Sequence, residues 1–146
     1  MIWRPSTIPA VKAAVFERLA ALDFGADVDV CYGRPRDYRR ESVVIGDTSE
    51  DSEQTWASLG DLQRAETYEL DVICRVAHPG DSQREATERC FELFGVVELS
   101  LRELPTLGVA GVTHAHLVSP RLYEGVFDDE GYAALVQSGL AVVARI

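Results

Sequence analysis

The sequence predicts an α+β (α/β) domain in which two α-helices pack on one face of a single antiparallel or mixed β-sheet. Two patterns carry that expectation. Apolar residues recur at three- and four-residue spacing in two stretches, and elsewhere they alternate singly with polar ones. In the clearest alternating stretch the polar positions turn one face to water, which marks an antiparallel sheet better than a parallel sheet buried on both sides.

The first helix starts at Ser6 or Thr7, either of which can cap it. Pro9 is tolerated there because its missing N–H falls in the first turn. Val11, Ala14, Val15, Leu19 and Leu22 form its apolar stripe, and Gly25 ends it. Val28, Val30 and Tyr32 alternate with Asp27, Asp29 and Cys31 as a half-buried strand. A basic segment, Gly33 to Arg40, follows as a loop or edge because of Pro35. Ser42–Ile45 reads as a short strand stopped at Gly46, and the acidic stretch 47–54 as a flexible solvated loop.

Tyr68, Leu70, Val72, Cys74 and Val76 then mark the strongest strand, closed by His78-Pro79-Gly80. Asp81 or Ser82 caps the second helix, Ser82 standing three residues before Glu85 at capping-box spacing, and the stripe runs through Ala86, Cys90, Leu93, Phe94, Val97, Leu101 and Leu104. Pro105 and Gly108 stop it. Val112 to Val118 alternates as a strand until Pro120 interrupts, and Leu122–Phe127 resumes it. The tail from Tyr132 to Ile146 is read as a long strand with Gly139 as a bulge. The expected order is α-β-β-β-α-β-β-β.

The chain has 146 residues and a net charge of −10, which suits one domain spanning 1–146. No apolar run is long enough to cross a bilayer, and the N-terminus lacks the basic head and apolar stretch of a secretory signal. Three widely spaced cysteines, Cys31, Cys74 and Cys90, read as reduced core thiols of a cytoplasmic protein. Residues 1–46 carry seven basic and six acidic side chains, whereas residues 47–146 carry seven and eighteen. A surface that negative repels phosphate and argues against general nucleic-acid binding.

Chemistry-bearing motifs are sparse. His114 and His116 sit on one strand face, about 7 Å apart at 3.3 Å per residue, but no ligand spacing accompanies them; a metal-binding protein or enzyme using this pair is one alternative. There is no G-x-S-x-G elbow and no phosphate-binding glycine loop, so neither an enzyme nor a cofactor is expected. The local departure from the acidic background is Arg34, Arg36, Arg39 and Arg40, interleaved with Tyr32 and Tyr38. It is either a solvated loop balancing nearby carboxylates or a contact surface, since arginine and tyrosine join apolar area to a polar tip. As a contact it would find its complement on the acidic part of an identical neighbour, or on another acidic partner. Trp56, at the end of the polar loop, either folds back on its own domain or anchors a partner.

Several motifs taken in order resemble the tail terminator proteins of long-tailed phages. They are Arg40-Glu41-Ser42-Val43-Val44-Ile45-Gly46, Trp56 with Leu59-Gly60, Arg64-x-Glu66-x-Tyr68, Ala86-Thr87-Glu88-Arg89, Glu98, Leu101-Arg102, Pro105-Thr106-Leu107-Gly108 and Ala144-Arg145-Ile146. Leu104 departs from that family, which carries aspartate there. The resemblance implies a small α/β domain that assembles as a hexameric ring on the tail tube, ends its polymerisation and meets the head connector. It implies no catalysis and no cofactor. It places the protein in the virion tail at the head-proximal end, after assembly in the host cytoplasm, with DNA only passing through the channel. A head–tail connector or another minor tail protein is the nearest alternative.

Overall fold

The computed structural model describes residues 5–49, 52–58, 63–78, 82–127 and 131–146. Helix α1 covers Ile8–Ala20 and helix α2 covers Gln83–Glu103. The strands are β1 Asp29–Tyr32, β2 Glu41–Thr48, β3 Glu53–Ser58, β4 Gln63–His78, β5 Val112–Phe127 and β6 Gly131–Arg145. They form one mixed sheet in the order β1-β2-β4-β6-β5, with β3 pairing the β4 edge beyond the end of β2. β1 runs parallel to β2, and the other pairings are antiparallel.

Both helices pack on the same side. Tyr68, Leu70, Val72, Cys74 and Val76 of β4 join Val136, Leu140 and Val142 of β6 beneath Val15 and Leu19 of α1 and Leu93, Phe94 and Val97 of α2. This alternation is the one the sequence shows, and burying such side chains contributes about 1.5–3 kcal/mol each. The opposite sheet face has no helix over it among the described residues.

The helix starts follow local chemistry. Ser82 accepts from the Glu85 N–H at 3.2 Å, as the capping-box spacing predicts. At α1, Ser6 Oγ accepts from the Ile8 N–H at 3.1 Å, but the Thr7 hydroxyl is drawn away to Glu66. Glu66 is a buried carboxylate on β4 that takes four donors: Ser6 Oγ at 2.5 Å, Thr7 N at 2.9 Å, Thr7 Oγ1 at 2.6 Å and Gln54 Nε2 at 2.6 Å. Burial pushes its pKa up, but these hydrogen bonds prevail and hold it below the usual carboxylate value. A negative charge from β4 thus seats the positive end of α1 and ties β3 to the same point. Tyr68 completes the network at 2.9 Å from Thr7 Oγ1, and burial pushes its phenol up to about 12.

Five expectations need correcting. Helix α1 ends at Ala20, not at Gly25; the glycine takes φ +74° in the following turn, where its N–H bonds Asp23. Gly46 does not stop β2, which runs to Thr48 with a register shift after Ile45. The acidic stretch 47–54 is therefore shorter as a loop: Asp47 and Thr48 lie in β2, Glu53 and Gln54 open β3, and residues 50–51 lie outside the described part. Pro120 does not split β5, because an edge strand needs no donor on its outer side. Gly139 forms no bulge: β4 and β6 stay in register from Ala65/Arg145 to His78/Tyr132, and the shifts lie on β5, between Val112 and His114 and between Val118 and Arg121, where Ser119 takes φ +50°. Gly139 lies close to Glu69: a Cβ there would come 2.7 Å from Glu69 Oε2, the end of a side chain that can move aside. The observed order is α-β-β-β-β-α-β-β, with β3 gained and the first two of the three strands expected after α2 fused into β5.

Candidate functional site

The basic segment has a defined place. Parallel neighbours require the chain to return the length of β1 before β2 begins. At four residues, about 13 Å, that return is within reach of the eight residues 33–40. The return crosses the helix-free face: Arg75, on that face of β4, lies 4.6 Å from the Tyr38 ring and donates to the Arg39 carbonyl at 3.4 Å. The Arg40 carbonyl accepts from Ala77 N at 2.7 Å, and Gly33 N donates to Ile45 O at 2.8 Å. Val44 and Ile73 are buried on this otherwise open face. The segment is thus a pinned crossover, and Arg34, Arg36, Tyr38, Arg39 and Arg40 are exposed upon it. None of the four guanidinium groups makes an ion pair among the described residues. On the helix side, Tyr32 stands edge-on to Phe16 at 5.8 Å, with Lys12 Nζ 4.5 Å from its ring.

Trp56 does not join this group. Its backbone pairs with Arg64 near the start of β4, whereas the crossover meets β4 at Arg75 and Ala77, roughly 35 Å along the strand at about 3.3 Å per residue. The Trp56 side chain lies outside the described residues, as do Leu59 and Gly60.

His114 and His116 stack on the helix-free face of β5 with ring centroids 5.6 Å apart, both exposed. Among the described residues, no group of three or more His, Cys, Asp or Glu side chains is placed to hold a metal ion. A shallow groove of about 240 Å³ opens further along β5, around Val118–Tyr123, lined in part by Glu69, Asp71, Arg121, Tyr123 and Gln137 and by neither histidine. It falls below the roughly 300–1,000 Å³ of small-molecule pockets.

The thiols are poor nucleophiles. Burial pushes Cys74 far up, and it pushes Cys90 to about 11. Cys31 also reaches about 11 through burial and the neighbouring Asp29. The fold brings Cys90 Sγ to the Cys74 carbonyl at 3.1 Å, whereas Cys31 is half-exposed on β1 instead of lying in the core.

The sequence reading missed a second exposed group. Leu122, Tyr123 and Val126 of β5 and Phe91 of α2 are large, apolar and open to solvent. Thr87 Oγ1 donates to Glu124 at 3.1 Å, so the outer flank of α2 lies against this half of β5. An alternating strand pattern announces two faces but not that a flanking helix leaves one of them uncovered.

No protein-family model matches the chain, and no curated protein matches it in sequence. Its structure is similar to a chain in the solved structure "Virion of native gene transfer agent (GTA) particle". The TM-score is 0.68 at 12% identity, over 97% of this chain and 99% of that one. At that identity the likeness is one of fold.

Proposed function

We propose that this chain is a structural component of a virion, acting as a tail terminator. It assembles as a ring, hexameric by the family resemblance, on the finished tail tube. There it ends polymerisation and offers a joining surface to the head connector. It performs no catalysis and takes no cofactor; its partners are copies of itself, the tube protein and the connector, with DNA only passing through. The observation that carries this reading is the shared fold with a virion chain over nearly the full length of both. The motif resemblance supports it independently, because it names the same class of assembly from the sequence. The surface is compatible: Tyr32 stands exposed at one edge of the sheet and Leu122, Tyr123 and Val126 at the other.

The test is to add purified protein to polymerising tail-tube protein and image the products. Tubes of bounded length with a ring at one end support the proposal. Unchanged tube lengths with no bound density overturn it. Density bound only to isolated head connectors would instead favour the connector reading.

A further inference from the structure

The two exposed contact groups lie at opposite ends of the same cross-strand rows. Reading across the sheet, Asp29 pairs Ser42, Ser42 pairs Arg75, Arg75 pairs Leu135 and Leu135 pairs Tyr123; one row along, Val30, Val43, Cys74, Val136 and Leu122 follow one another. One end of these rows is the β1 edge, none of whose residues is buried. Tyr32 there is 53% exposed, with Lys12 Nζ 4.5 Å from its ring, and the exposed arginines of the crossover 33–40 lie on the other face of the sheet. The other end is the β5 edge beyond Pro120, where Val126 is 65% and Tyr123 50% exposed. Around it stand the exposed Phe91 and Leu122, with Glu124 held by Thr87 and with Arg121 at the start of the stretch.

We propose that the β1 edge of one copy docks against the distal β5 edge, residues 121–127, of the next, head to tail. This rests on the ring reading above and says which surfaces close the ring. Strand direction permits it. β5 runs opposite to β1 within one chain, so a neighbour in similar orientation presents its β1 antiparallel to β5, the better-bonded arrangement. The exposed side chains suit it: Tyr32 with Lys12 would meet Leu122, Val126 and Glu124 of the neighbour, apolar area against apolar area and ammonium against carboxylate. The fold also limits it: Pro120 and the register shift after Val118 interrupt the β5 edge, so pairing is confined to residues 121–127. A contact between two different surfaces closes into a ring when its rotation allows.

The experiment uses two variants of the full chain, one altered at each edge: Lys12→Glu with Tyr32→Glu, and Leu122→Glu with Val126→Glu. Sedimentation velocity is measured for each alone and for their equimolar mixture, with unchanged melting temperature as the check on folding; Leu122→Ser with Phe91→Ser replaces the second variant if it melts early. Each variant alone is expected to lose assembly, with the dissociation constant raised about tenfold or more. Mixed, they are expected to give a two-chain species and nothing larger, since each supplies the edge the other lacks. Variants that keep the wild-type assembly, or a mixture that yields no dimer, overturn the edge assignment. If wild-type rings persist through both changes, the ring reading stands and this pairing falls; wild-type protein that stays monomeric and leaves tubes uncapped overturns the ring reading itself.

Discussion

The two faces of the sheet differ in how much of their chemistry is already spent. On the helix side, Leu70, Val72, Val136 and Leu140 are closed off by α1 and α2, and the charged groups Glu66 and Arg89 are paired, while the buried Ser100 hydroxyl of α2 has no partner among the described residues. Arg89 of α2 shows the pattern: it bonds Glu41 at 2.5 Å and 3.3 Å, Glu92 at 3.1 Å and the Phe24 carbonyl at 3.0 Å, linking three parts of the chain. On the other side, β6 presents Gly139, Ala141 and Val143 between the stacked histidines of β5 and the carboxylates Glu69 and Asp71 of β4. The first face makes the fold stable. The second face and the two sheet edges are left available to partners.

If that division is correct, substitutions should separate cleanly by location. Leu140→Ala removes a fully buried side chain at the centre of the helix-covered face and should cost about 2–5 kcal/mol, read as a fall in the denaturant midpoint. Gly111→Ala should come close to that, at about 2–4 kcal/mol. Its φ is +92°, and a Cβ would lie 2.5 Å from the Arg145 carbonyl oxygen.

Glu66→Gln should cost about 1–3 kcal/mol by weakening four hydrogen bonds to a charged acceptor. It should also change the pH dependence. Glu66 has a folded pKa below its unfolded value, so its contribution is complete above about pH 4.3 and fades as pH falls through the folded pKa. The acid limb of the wild-type stability curve should therefore be steeper than that of Glu66→Gln. Equal slopes would remove Glu66 from the account. Smallest of all, His114→Ala and His116→Ala on the open face should shift stability by no more than about 0.5 kcal/mol. A large loss there would show that the open face belongs to the fold after all.

The helices and the central strands were legible because their signals are local: a capping serine, a stripe at helical spacing, strict alternation through Tyr68–Val76. Strand β3 was not, because Glu53, Gln54 and Thr55 carry no apolar alternation, and the strand is held by pairing to β4. The fusion of β5 across Pro120 depends on that strand lying at an edge, a fact of tertiary arrangement that spacing does not encode. The basic segment was readable as a candidate surface, but its role as a parallel crossover required knowing that β1 and β2 are neighbours. Two of the resemblance motifs proved to mark joints of the fold: Arg64-x-Glu66-x-Tyr68 anchors α1, and Arg64 exchanges backbone hydrogen bonds with Ile146 at 2.7 Å and 2.9 Å. The apolar group at Leu122, Tyr123, Val126 and Phe91 was invisible because exposure is decided by where α2 ends its cover.

Amide hydrogen exchange, followed in the dilute protein and in the assembled state, tests the division of labour most directly. The account predicts new protection concentrated in β1 and in residues 121–127 of β5, with the amides of α2 that face the core unchanged. Identical exchange at both concentrations, or protection gained evenly over the whole chain, would contradict it.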